Sequence, residues 1–438
     1  MKQHLRQAAA HFGLFFFLLF LFYLLLVASA AIPNAALREN MERSAFRYGQ
    51  VDAFQFGNSG KLHTVADNYA DSILLNVAWH MGEGNPFTAA IDTDYYDGEE
   101  DGINTGLYRS VTAQAAANRD YTRYWHGGAA FVRLFHLFTT AAGMQVTGLA
   151  SILLLALMTA LLLHKQGHGG LGFLLLLSLA AVQIWNTVRS LEYQTPFLVA
   201  FLFCPLFLTL ERRGDDVLPL LCTAAGVTVA FFDFLTAETV TVLIPLILVV
   251  AVRAREGRLP GLRSVLLLLL KCGLCWGLAY GMTFLLKWTA ATLVTGENAF
   301  LPAIESVTER MGRNVHIPYT EEPGFFTPLA ANLTVLFGGT ARVQPLRVLL
   351  GTALSLAVLA SLWFLFRGKQ PEKTGSVSVL LLGAVVLLRF LVLNNHSYLH
   401  EYFTYRALSA MVLALLSALW LNCPSAKKTA SAGKRRRK

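Results

Sequence analysis

The chain has 438 residues, of which 55% are hydrophobic and only 14% charged. An ordinary soluble domain carries roughly 25% charged residues, so a water-facing globule, a disordered tail and a coiled coil are all excluded. An all-α integral membrane protein is predicted. The formal net charge is +9, but its placement points to a lipid-facing girdle and not to nucleic acid.

A hydrocarbon core of about 30 Å takes roughly 20 apolar residues of helix. In chain order the apolar runs predict about ten transmembrane helices: 12–31, 143–164, 171–185, 196–210, 217–232, 239–252, 264–288, 346–366, 376–393 and 407–421. The connections between them alternate in character. One set holds Lys2 and Arg6, His164 to His168, Arg212 and Arg213, Arg253 to Arg263, Arg367 to Lys373, and the tail from Lys427 to Lys438. Short cytoplasmic loops are rich in Lys and Arg. This set is therefore predicted to face the cytoplasm, with both termini inside and the chain multi-pass in the cytoplasmic membrane. Residues 1–31 read as an uncleaved signal anchor. Ala28-Ser-Ala30 resembles a cleavage site, but the apolar run is long enough to remain as a span.

The layout is then a first outside loop over 32–142, spans over 143–288, a second outside loop over 289–345, spans over 346–421 and a basic tail over 422–438. The two outside loops are predicted to fold together as an extracytoplasmic cap. Pro302, Pro318, Pro323 and Pro328 make the second one mostly loop with short helices. The Phe325-Phe326 pair is expected to touch the membrane surface. The five cysteines, Cys204, Cys222, Cys272, Cys275 and Cys423, lie in or beside apolar runs, so no disulfide framework is implied. Lys271, inside the cytoplasmic end of its span, is expected to snorkel.

The first outside loop is acidic. The run 67–80 reads as helix, which sets Asp67 and Asp71 one turn apart. Such a pair can bind a metal, share a proton, or cap and solvate a helix start. Asp92 and Asp94 open a dense acidic cluster running to Asp101. It has the oxygen-ligand density of a divalent-cation site for Ca, Mg or Mn, or else is an exposed acidic loop. Arg123-Tyr-Trp125-His126 combines a guanidinium that forks phosphate with rings that stack on sugars. The same rings suit an interfacial belt. Residues 129–138, with Arg133 and His136 among apolar neighbours, are predicted to lie at the interface.

The shorter outer connections add Arg189, Glu192, Asp233, Glu238, Lys287, Arg389, His396, His400 and Arg406. Charges at a bilayer boundary are costly and need partners or a task. Here they gather at one depth. Either they pair with one another and with headgroups, or they line one outward cavity.

A first span, a long acidic outside loop and cations at later outer helix ends together resemble the GT-C superfamily of membrane glycosyltransferases. The phrases from Asp67 to Ser72, from Arg123 to Gly127 and from Phe232 to Thr236 are also similar to uncharacterised multi-spanning proteins of Gram-positive bacteria. The superfamily resemblance implies transfer of a sugar from a polyprenyl-phosphate donor to a glycan, lipid or protein acceptor of the cell envelope. It implies Asp67, with Asp71 beside it, as the catalytic centre, and Asp92 and Asp94 as metal ligands. It implies Lys287, Arg389 or Arg406 as the grip on the lipid phosphate. Arg123, Trp125, His126, Arg189, Glu192, Asp233, His396 and His400 complete the candidate substrate-binding set. This chain departs from the superfamily in placing Asn68, and not a second acid, after Asp67. Two other classes stay open: a transporter or flippase for a lipid-linked or anionic solute, and a non-catalytic assembly protein. A transporter is expected to show midplane acids and internal repeats, and the sequence shows neither.

Overall fold

In lipid every backbone N–H and C=O must be bonded within its own segment, so apolar runs without polar partners fold as helices. The computed structural model describes residues 2–57, 60–98, 102–312, 324–337, 360, 363 and 370–423. Its helices are α1 Lys2–Ala30, α2 Asn34–Tyr48, α3 Asn68–His80, α4 Pro86–Ala89, α5 Gly102–Ala113, α6 Gly127–His136, α7 Ala141–Lys165, α8 Gly169–Ala181, α9 Thr195–Leu210, α10 Val217–Phe232, α11 Val240–Arg255 and α12 Leu262–Thr295. They continue with α13 Phe300–Met311, α14 Thr327–Leu336, α15 Gln370–Val392, α16 Asn394–Leu399, α17 Glu401–Thr404 and α18 Leu408–Asn422.

Nine of the ten predicted spans coincide with helices, and 346–366 lies almost entirely outside the described residues. Among the described residues six stretches are long and apolar enough to cross a membrane: Leu5–Ala30, Ala141–Lys165, Thr195–Arg213, Leu262–Thr295, Lys373–Val392 and Glu401–Asn422. The architecture is that of an all-α, multi-pass membrane protein. Helices α8, α10 and α11 are shorter, about 20–24 Å at 1.5 Å per residue. Residues 240–254 of α11 are all buried, between α9, α15 and α18. Helix α10 packs on α1, α9 and α12. Neighbouring protein, not lipid, therefore surrounds most of α10 and α11.

One end of the bundle carries an ion-pair network. Buried Glu211 holds Arg253 at 2.7 Å and Arg258 at 2.6 Å, and Glu256 holds Arg212, Arg258 and His168. Lys271 pairs with Asp216 at 3.2 Å. The Lys/Arg-rich connections at 164–168, 212–213 and 253–258 meet at this end.

The opposite end carries a second core, built by α2, α3, α5 and α6 around Leu37, Met41, Leu75, Val77, Trp79, Leu107 and Val132. Two short antiparallel ribbons complete it. β1 (Phe54–Gln55) pairs with β2 (Ala66–Asp67), and β3 (Asp94–Tyr95) pairs with β4 (Arg119–Asp120). Helix α6 covers most of 129–138. It packs against α1, α3 and α10, and Arg133 and His136 are wholly buried. The Arg133 guanidinium donates to the carbonyls of Ser29, Ile32 and Ala78 and to Asn34 Oδ1, which replaces its water shell. Phe326 is largely exposed and Phe325 partly so. All five cysteines are free thiols.

Candidate functional site

The site starts from the entry to α3. Asp67 ends β2 and caps α3, its Oδ1 accepting from the Ala70 N–H at 2.9 Å. Its other oxygen accepts from the Tyr402 hydroxyl at 3.1 Å. Asp67 is thus both a helix cap and a wall residue of a cavity of about 190 Å³. Phe54, Tyr69, Arg123, Tyr124, Glu192, Phe234, Arg310, His396 and His400 share that wall.

Two carboxylates face this chamber. Burial pushes the Asp67 pKa up to about 7, and the charge of Asp71 adds to the rise. Hydrogen bonds from Ala70 and Tyr402 oppose it. Burial raises Glu192 well above the usual carboxylate range, and Asp67 raises it further. One buried acid is therefore poised near neutrality beside a second whose pKa is also raised, as expected for like charges sharing a desolvated site. Burial also lowers His400, to about 4, and lowers His396 strongly, so both imidazoles are neutral at pH 7.

Arg123, Tyr124 and Arg310 line a second cavity too, of about 260 Å³, between α12 and α13. Its other walls are mostly apolar: Leu235, Tyr280, Phe284, Trp288, Ala303 and Val307. The two arginines therefore stand where an acidic chamber meets an apolar groove. Arg123 lies over the Tyr121 ring at 4.3 Å, and Arg310 over Tyr124 at 5.9 Å. Neither has an ion-pair partner among the described residues, and Nε of each is buried without a hydrogen bond. Phe234 faces the chamber and Leu235 the groove. Leu235 adopts φ 70°, a left-handed conformation costly for a leucine.

Asp71 differs from Asp67. It is wholly buried and accepts from Tyr48 Oη at 2.7 Å and from Gln145 Nε2, Ser190 Oγ and the Leu191 N–H at 2.8 Å each. Burial raises the Asp71 pKa and these four donors oppose the rise; together they tie α3 to α2, α7 and the segment before α9. Asp71 does not face the chamber, and the solvated-face expectation is corrected. Asp71→Asn turns an amide N–H toward these donors. A stability loss of about 1–3 kcal/mol for each donor left unpaired is expected, read as a lower melting temperature in detergent. An unchanged melting temperature would refute the anchoring role.

The other predicted residues divide between cavity and framework. Trp125 is packed, its Nε1 donating to the Thr283 carbonyl at 2.8 Å and its ring stacked on Phe231. His126 is buried against the Tyr121 carbonyl at 2.8 Å, its pKa lowered by burial to about 3. Asp233 closes a turn on Thr236. The three cations expected to grip phosphate are all buried against protein groups, and the Nε of Arg406, like those of Arg123 and Arg310, has no hydrogen bond. Lys287 is buried on the Ile91 carbonyl and under the Trp125 ring. Arg389 pairs with Glu238 through two contacts of 2.9 Å. Arg406 sits between the Tyr193 and Tyr405 rings, donating to the Tyr402 carbonyl.

Arg189 lines a different cavity, with Arg47. Asp92 and Asp94 line a fourth, beside Asp120 and Glu297. Among the described residues no three His, Cys, Asp or Glu side chains are grouped as a ligand set. The rest of that acidic cluster, Glu99, Glu100 and Asp101, lies outside the described residues; Lys287 has Asp120, Asp92 and Asp94 as electrostatic neighbours.

Arg310 and Tyr402 were absent from the sequence-derived set. Arg310 lay in a segment expected to be mostly loop. The pattern Leu301, Ile304, Val307 and Met311 against Glu305, Glu309 and Arg310 is the helical signal that could have found it. The chain matches no family model, no curated protein and no solved structure.

Proposed function

We propose that the protein is a membrane glycosyltransferase that moves a sugar from a polyprenyl-phosphate carrier to a cell-envelope acceptor. The supporting observation is the meeting of the acidic chamber and the apolar groove at Arg123 and Arg310. The prenyl chain lies in the groove, its phosphate rests on the two arginines, and the sugar enters the chamber. The acceptor hydroxyl oxygen attacks the anomeric carbon as the bond from that carbon to the phosphate oxygen breaks. Asp67 takes the hydroxyl proton, and the polyprenyl phosphate leaves with its new charge on Arg123 and Arg310. Glu192 hydrogen-bonds the sugar. Asp71 acts through α3, holding Asp67 in place.

In this reading ten helices cross the cytoplasmic membrane of a bacterium, both termini are cytoplasmic, and the two outer loops form the cap over the chamber. The arginine-rich network then lies in the cytoplasm, as the charge rule requires.

The test is release of polyprenyl phosphate from a polyprenyl-phosphate sugar by the purified protein. Arg310→Gln should weaken transition-state stabilisation by about 10²-fold or more in kcat/KM, the scale for one preorganised charge donor. Full activity in that variant removes Arg310 from the donor site. Absence of release by the parent with any such donor overturns the function.

A further inference from the structure

A second polar cavity lies behind the β1–β2 ribbon. Side chains alternate across a ribbon with a period of two. The paired residues Phe54 and Asp67 line the acidic chamber. The next pair, Gln55 and Ala66, lines a cavity of about 440 Å³ on the other side. Its lining includes Arg47, Arg189, Asn68, Gln145 and Trp185, and no carboxylate.

Both arginines keep donors to spare. Arg47 Nη1 reaches Gln145 Oε1 at 3.3 Å, and its guanidinium lies over the Tyr48 ring at 5.6 Å. Gln145 is itself fixed by Asp71, so that wall is rigid. Arg189 Nη2 lies against Gly57, where a Cβ would stand 2.9 Å from it; the glycine leaves the guanidinium room. Neither arginine has a carboxylate within ion-pairing distance among the described residues. Two like charges around one cavity repel unless an anion joins them. Paired guanidinium forks with side-chain amides beside them match an oxyanion. Trp185, half exposed, adds a flat apolar face. Val146, at 61% exposure on the flank of α7, carries the cavity to the apolar exterior of a span.

We infer that this cavity binds a phosphate-bearing anion, independently of what the acidic chamber does. That phosphate comes from a lipid headgroup or from a soluble polyol phosphate, and the experiment separates the two. Purified full-length protein is incubated with phosphatidylglycerol, with zwitterionic phosphatidylcholine, or with glycerol phosphate, and bound ligand is read by native mass spectrometry. The parent should retain phosphatidylglycerol over phosphatidylcholine, or bind glycerol phosphate, with affinity falling as salt rises. The double variant Arg47→Gln/Arg189→Gln should lose about ten-fold or more of that affinity. Arg47→Gln alone should lose part of it. Arg43→Gln, on the exposed face of α2 and paired with Glu39, should leave it unchanged. Retention of phosphatidylglycerol with loss in the double variant assigns the site to a lipid, and the same result with glycerol phosphate assigns it to a soluble ligand. Binding of none of these by the parent, or undiminished binding by the double variant, overturns the inference.

Discussion

Asp67→Asn is expected to lower sugar transfer about 10²–10⁴-fold, the usual loss for a missing general base, while the protein melts close to the parent temperature. Asparagine caps a helix about as well as aspartate, so the bond to the Ala70 N–H survives. What disappears is the carboxylate able to accept a proton. The same substitution carries a pH signature. Burial holds the Asp67 pKa near 7, so the base form grows as pH rises through neutrality, and parent activity should climb over that range. Residual activity in the variant should not. The stability effect has the opposite slope. A carboxyl whose pKa is raised on folding binds more protons folded than unfolded, so its contribution is lost as pH rises from the ordinary carboxylate range to about 7. Melting temperature against pH should therefore be flatter in Asp67→Asn than in the parent. Full activity in the variant, with an unchanged pH profile, would reduce Asp67 to a helix cap.

Glu238→Ala is expected to be among the most destabilising single substitutions in the bundle. Glu238 and Arg389 are both buried and meet through two contacts of 2.9 Å. Removing one partner of a buried pair strands the other charge, at about 3–5 kcal/mol. Arg389 also donates to the carbonyls of Leu235 and Thr236. The pair thereby holds the left-handed turn at Leu235 that parts chamber from groove. Replacing both partners by leucine removes the stranded charge and should recover part of the loss. Thermal unfolding in detergent separates the cases. A Glu238→Ala protein that melts like the parent would mean that the pair contributes nothing to holding α11 and α15 together at the chamber end.

Composition and the apolar runs were enough to predict the class and nine helices, because in lipid an apolar run of that length has few alternatives to helix. The alternation of Lys/Arg-rich connections matches the end where Glu211 and Glu256 gather their arginines. Local spacing also made α3 legible, with Asp67 at its head. Spacing could not separate Asp67 from Asp71. Both are acids one turn apart, and only packing turned one toward a cavity and the other onto four donors from α2, α7 and the segment before α9. Nor could it separate a paired cation from an unpaired one. Arg389 stands near its helix end as predicted, but paired with Glu238, and Lys287 lies about two turns inside the end of α12, on the Ile91 carbonyl. Arg310 came to the chamber by the fold of α13 over α12. Partners in this site are distant in the chain, as Tyr402 is from Asp67. Which charge remains unpaired follows from long-range contacts, because a desolvated charge takes the nearest donor or acceptor that the fold supplies.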